Sequence, residues 1–147
     1  MVTIKKATEE DSSIVAPLLN NYRIFYKQEP NLKAAENFLI ERLSKNQSHI
    51  FIAFKNNIAV GFTQLYTSYS SVALQPLFIL NDLYVDTQYR GNNIGTELLK
   101  KAQQFCKDNK HKGLALETAT NNPAQKLYEK LNWEKDTASF HYFWTAK

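Results

Sequence analysis

The stretch Arg90-Gly91-Asn92-Asn93-Ile94-Gly95 sits between a β-prone run at residues 77–85 and a helical pattern that begins at Ile94. The first N–H groups of a helix have no partner inside it. Together with the helix dipole they form a site for an anion, phosphate above all. Gly91 and Gly95 let backbone approach such a group closely, and Arg90 adds a guanidinium that can fork onto its oxygens. An ordinary strand-to-helix turn would use similar residues. The commoner phosphate turns are excluded, because neither Gly-x-Gly-x-x-Gly nor Gly-Lys-Ser/Thr occurs here. Two carboxylates, Asp82 and Glu117, stand in otherwise apolar runs, where desolvation would raise their pKa and suit them to accepting a proton. For each, a structural hydrogen bond is the alternative.

Other chemistries find less support. Cys106 is the only cysteine, so no internal disulfide forms, and its apolar helical setting reads as a buried small hydrophobe. His49, His111 and His141 lack metal-ligand spacing, and no metal is expected. The net charge of +4 is mild and its cations are scattered, which argues against a nucleic-acid binder, although a basic surface suits a polyanionic cofactor. No apolar run is long enough to cross a bilayer, and the first residues lack the apolar core of a signal peptide. The expectation is a cytoplasmic protein without a membrane partner. At 147 residues, 44% hydrophobic and 13% aromatic, the chain reads as one folded domain, residues 1–147.

The elements that must position these groups follow from periodicity. Residues 2–7 alternate as a first strand. Val15, Leu18, Leu19 and Tyr22 mark one face of a helix that Asp11 can cap, and Ala35, Phe38, Leu39 and Leu43 mark a second. Residues 49–54 and 58–66 form a hairpin about Asn56-Asn57, with Gly61 marking a bulge or a close approach. Residues 67–71 read as a turn and residues 77–85 as the central strand. Ile94, Leu98, Ala102 and Phe105 carry the next helix, residues 114–118 a short strand, and Asn121-Asn122-Pro123 starts a last helix. The aromatic run at residues 140–145 closes the order β-α-α-β-β-β-α-β-α-β. That order predicts an α/β fold with a mixed sheet and helices on both faces.

With these residues in place, the chain resembles the GNAT superfamily of acyl-CoA N-acyltransferases. The family's pyrophosphate motif is Gln/Arg-x-x-Gly-x-Gly/Ala; Arg90 and Gly95 match it, and Asn93 replaces the middle glycine. Asparagine is among the few residues that tolerate left-handed backbone. A second segment, Asn121-Asn122-Pro123-Ala124-Gln125-Lys126-Leu127-Tyr128-Glu129-Lys130-Leu131-Asn132-Trp133, is similar to the family's Asn-x-x-Ala-x-x-Leu-Tyr-Glu-Lys-Leu-Gly-Phe, with Asn132 for glycine and Trp133 for phenylalanine. Shorter stretches at residues 22–26, 61–66 and 80–85 look like a bacterial branch related to fungal histone and polyamine acetyltransferases. Asn81 stands where the polyamine enzymes carry glutamate, which weakens the case for a long polycation.

The resemblance implies a mostly antiparallel mixed sheet of about six to seven strands. It also implies a splay between the strands at residues 77–85 and 114–118, with the pantetheine arm of acetyl-CoA between them. The cofactor-binding residues would be Leu83, Tyr84, Val85, Arg90, Gly91, Asn92, Asn93, Ile94, Gly95, Thr96, Asn121, Ala124 and Tyr128. Backbone at Leu83 and Val85 would bond the arm, and the Val85 N–H would polarise the thioester carbonyl. Asn121 contacts the cofactor or a water, or caps the helix. By the family pattern Tyr128 is the acid for the leaving thiolate, while Asp82 or Glu117 is the base. The implied function is acetyl transfer to a primary amine, whether small amine, polyamine or amino acid. Protein lysine or N-terminal acetylation and a silent acyl-CoA sensor are the alternatives. Tyr22, Phe25, Tyr26, Tyr66 and Asn81 would line the acceptor pocket; the aromatics could equally be core or dimer surface. Related members pair through their C-terminal region, so a homodimer is expected, with the run at residues 140–144 serving that interface or filling the core.

Overall fold

The structure, a computed structural model, describes residues 1–146. The chain divides into a larger unit, Met1–Glu117, and a smaller one from Thr118 onward. The larger unit contains β1 (Val2–Lys6), α1 (Ser12–Phe25), α2 (Leu32–Ser44), β2 (Ser48–Lys55), β3 (Ile58–Ser70), β4 (Gln75–Val85), α3 (Ile94–Asp108) and β5 (Leu114–Ala115). These strands form one sheet in the order β1-β2-β3-β4-β5. Neighbours are antiparallel except β4 and β5, which are parallel. The sheet is mixed and mostly antiparallel, with five strands rather than six or seven.

Both faces are covered. Val15, Leu18 and Leu19 of α1, with Ala35 and Leu39 of α2, pack over Ile50, Ile52, Phe62 and Tyr84. On the opposite face Phe105 of α3 meets His49, Phe51 and Phe78 at ring distances of 4.9, 5.2 and 5.3 Å. Alternation along the strands sends even and odd positions to different helices. Cys106 lies buried in α3, where burial pushes its thiol pKa up.

Several expected boundaries move, each for a physical reason. Residues 67–71 are not a turn: β3 continues to Ser70, which pairs with Gln75. Threonine and tyrosine favour the extended form even where the hairpin outruns the core. Residues 114–118 shrink to the pairs Phe78–Leu114 and Ile79–Ala115. Asp11 does not cap α1; its carboxylate accepts from the Thr8 N–H at 2.8 Å and from Lys5 Nζ at 3.0 Å. The Asn56-Asn57 hairpin turn has φ of +52° and +66°, the left-handed pair that a tight hairpin uses. Gly61 is a close approach: a Cβ there would lie 2.8 Å from the Tyr84 carbonyl oxygen.

The smaller unit holds α4 (Gln125–Lys130). The helix begins later than Asn121-Asn122-Pro123 suggests, because Asn122 Oδ1 first accepts the Ala124 N–H at 2.9 Å in a side-chain turn. Its end is a Schellman motif. Asn132 is left-handed at φ +70°, its N–H donates to Glu129 O at 3.1 Å, and the Trp133 N–H donates to Tyr128 O at 3.0 Å. The Trp133 and Tyr128 rings meet 5.7 Å apart, the apolar contact that accompanies such an end. Residues 140–145 form no strand, and Phe140, Tyr142, Phe143 and Trp144 are exposed. Aromatic β-propensity reflects fit to a pleated, half-buried surface, and no strand pairs with this run among the described residues.

Candidate active site

Asp82 owes its position to a bulge in β4. The ladder pairs Gln64 with Asp82 but Leu65 with Leu80, so Asn81 is the extra residue. Before the bulge, Phe78 points to the α3 face, where it stacks on Phe105. After it, Tyr84 joins the α1 core. One inserted residue exchanges the two faces of a strand, and the exchange brings the Asp82 side chain under α1. There it is only 7% exposed. Gln64 Nε2 donates to Oδ2 at 2.6 Å and Asn81 Nδ2 to Oδ1 at 3.2 Å, and the Tyr22 hydroxyl also donates to the carboxylate. Desolvation outweighs these donors, so the pKa of Asp82 is raised. Along the same face Tyr66 is pushed up to about 12, by burial first and then by the Asp82 charge, against the pull of Arg42.

The backbone beside Asp82 has an open edge. The Asp86 N–H donates to Val60 O at 2.8 Å, so by antiparallel alternation Phe62 and Tyr84 form the next hydrogen-bonded pair. The N–H groups of Leu83 and Val85 therefore face away from β3, toward the side where β5 stops opposite Ile79. No β4–β5 pair follows Ile79–Ala115 among the described residues. The same alternation removes Tyr84 from that edge: its backbone is committed to β3 and its ring is buried 6.0 Å from Tyr22.

Beyond β4 the turn into α3 is open. Asn93, at the helix N-cap, has φ +65°, makes no side-chain cap bond, and is exposed. Gly91 has φ +84°, with open space where a Cβ would stand. Asn92 is held from both sides, donating to Tyr89 O at 3.0 Å and accepting from Lys55 Nζ at 3.4 Å. Ile94 is buried beneath the turn, while Gly95 and Thr96 are half-buried in the first helical turn. Arg90 Nε donates to Val85 O at 3.0 Å, and its guanidinium lies 5.7 Å from the Phe25 ring and 5.9 Å from Tyr84. This anchoring leaves the terminal guanidinium nitrogens for an anion.

The structure brings Tyr22, Asp82 and Asn81 together, with Tyr66 further along the face. It sets Phe25 beside Arg90 instead, with Tyr26 packed edge-on to both Phe25 and Tyr22. Glu117 lies past the end of β5 and is exposed, not enclosed in apolar surroundings as its neighbours in sequence suggested. In the smaller unit Asn121 is exposed and the turn-closing contact is made by Asn122, while Ala124 immediately precedes α4. Sequence reasoning missed Gln64. Its signal was a polar residue between Phe62 and Tyr66 on a strand face otherwise apolar. Among the described residues no group of three or more His, Cys, Asp and Glu side chains could hold a metal.

The site so built offers backbone N–H donors along an unpaired strand edge and at a helix N-terminus that no side chain caps. Residues 15–133 match the Acetyltransferase (GNAT) family. The chain is 42% identical over 142 residues to the uncharacterized N-acetyltransferase YhfO of Bacillus subtilis (strain 168), spanning 96% of this chain and 95% of that one. It is 31% identical over 137 residues to a probable acetyltransferase of Haemophilus influenzae, spanning 84% and 94%. A crystal structure of a probable acetyltransferase superposes with a TM-score of 0.92 at 32% identity, over 99% of this chain and 98% of that one. The chain belongs to the GNAT acetyltransferase family and is an N-acetyltransferase of that type.

Proposed function

We propose that the chain transfers the acetyl group of acetyl-CoA to the primary amine of a small molecule by direct attack, with Asp82 as the base. The observation that carries this reading is the open edge of β4, which presents the Leu83 and Val85 N–H groups between a buried carboxylate and the α3 N-terminus. The residues present fit the cofactor. The turn at residues 90–96 offers free helical N–H groups, a left-handed Asn93, the Arg90 guanidinium and nearby Lys55 to a pyrophosphate. Leu83 and Val85 offer backbone donors to an amide-bearing arm. The family match runs across both units, which supports treating residues 1–147 as one catalytic domain. The exposed aromatics at residues 140–144 support pairing of two copies through the C-terminal region.

Acetyl-CoA supplies an activated acetyl carbon and a thiolate leaving group. An alkylamine has a pKa of about 10.4 and is neutral only about once in a thousand molecules at pH 7, so a proton must be taken up. Asp82, with its pKa raised by burial, accepts that proton directly or through water as the N–C bond forms. The Val85 N–H stabilises the charge that develops on the carbonyl oxygen. Tyr128 stands in the segment that resembles the family's, and by that resemblance its hydroxyl would supply the proton that the leaving thiolate needs. The Tyr128→Phe variant should keep acetyl-CoA binding while its turnover falls by roughly 10²–10⁴. Steady-state kinetics beside calorimetric titration checks this, and unchanged turnover removes Tyr128 from the role.

A further inference from the structure

Gln64 stands where the packing of β3 calls for an apolar side chain. It is only 1% exposed. Ile50 is its cross-strand partner on β2, and Phe62 precedes it on the same face of β3; both are fully buried. A methionine would fill much the same volume without a polar atom. The amide costs stability instead, because Gln64 Oε1 is buried without a hydrogen-bond partner among the described residues.

The other end of the amide makes one short contact, from Nε2 to Asp82 Oδ2 at 2.6 Å. The preceding residue reaches the same aspartate through its backbone: Thr63, also fully buried, donates from Oγ1 to Asp82 O at 2.8 Å. Two consecutive positions of β3 thus hold Asp82, one by its carbonyl and one by its carboxylate, directly after the bulge that sets its face. With Oδ2 committed to Gln64, Oδ1 lies on the side of the exposed Asn81, which donates to it at the longer distance of 3.2 Å. The residue type matters here. Toward a carboxylate, Nε2 can only donate, so it favours the charged form and fixes its rotation. A glutamate in this place would set a like charge beside Asp82. A lysine or arginine would pull its pKa down and make it a weaker base. A neutral donor does neither.

We propose that Gln64 is a positioning residue for acetyl transfer, its amide holding the Asp82 carboxylate in the orientation that takes the proton of the amine. The assignment rests on the acetyl-transfer reading above, with Asp82 as base, and deepens it.

The test compares the full chain with Gln64→Met, which keeps the volume and removes the donor. The charged form of Asp82 then loses a partner, so the acid limb of kcat/KM should move up by about one pH unit, a tenfold loss of activity below the limb. KM for acetyl-CoA should stay at the wild-type value. Melting temperature supplies a second reading that needs no turnover. Gln64 stabilises only the charged carboxylate. The wild type's advantage over Gln64→Met should therefore be fully present above both Asp82 pKa values and be lost, or reversed, as the pH falls through them. A residue that only fills the core would leave a gap that does not change with pH. An acid limb at the wild-type position, a loss confined to KM for acetyl-CoA, a melting gap independent of pH, or a Gln64→Met chain that does not fold overturns the proposal. If no amine is acetylated, or if Asp82→Asn keeps full turnover, the reading above fails by itself. The pH dependence of the melting gap then still decides whether Gln64 holds the charged carboxylate.

Discussion

Asp82 is placed to accept a proton because two opposing effects meet on it. Burial disfavours its charged form, while Gln64, Asn81 and Tyr22 each donate to that form and favour it. Removing one donor leaves desolvation less opposed and raises the pKa further. In Tyr22→Phe the acid limb of the pH profile of kcat/KM, which reports ionisation of the base in the free enzyme, should therefore move to higher pH. An acid limb at the wild-type position would detach Tyr22 and Asp82 from the base assignment. The carboxylate itself was legible in the sequence as an acid in an apolar run. Its partner Tyr22 was legible only as an aromatic on a helix face. Glu117 had the same sequence signature as Asp82, and only the early end of β5 separates the two, because exposure depends on where a strand stops pairing.

At the scale of elements, the positions that decide the site are irregular. The bulge at Asn81 turns the second half of β4 over, yet no glycine or proline announces it. The strand is apolar without alternation on both sides of Asn81-Asp82, so no pattern in the residues told which face Asp82 takes. The turn into α3 was far more legible, since Arg90, Gly91 and Gly95 announce it. Asn93 and Asn132, which stand where the family carries glycine, both adopt left-handed backbone, at φ +65° and +70°. Asparagine keeps the chain path at a modest cost, whereas a residue without a short polar side chain pays about 1–2 kcal/mol there. Asn93→Gly should bind acetyl-CoA as the parent does, and Asn93→Ala should melt lower and bind more weakly. Titration calorimetry and thermal denaturation of the pair test this; equal affinity and stability in both variants would show that the turn's conformation does not matter. The run at residues 140–145 misled in the opposite way, because its composition suits a strand while no strand pairs with it among the described residues.

At the scale of the whole molecule, the family match across residues 15–133, the mixed sheet and the open β4 edge converge on one chemistry. The order of elements was legible nearly from end to end because helix and strand periods differ. Strand count and strand ends were not, because pairing is decided by partners distant in sequence. The most direct measurement is thiol release from acetyl-CoA by the full chain, with and without a primary amine, alongside mass detection of the amine product. The account predicts that thiol appears only when an accepted amine is present and in equal amount to acetylated amine. Binding of acetyl-CoA without thiol release or acetylated product, across small amines, amino acids, polyamines and aminoglycosides, would contradict it.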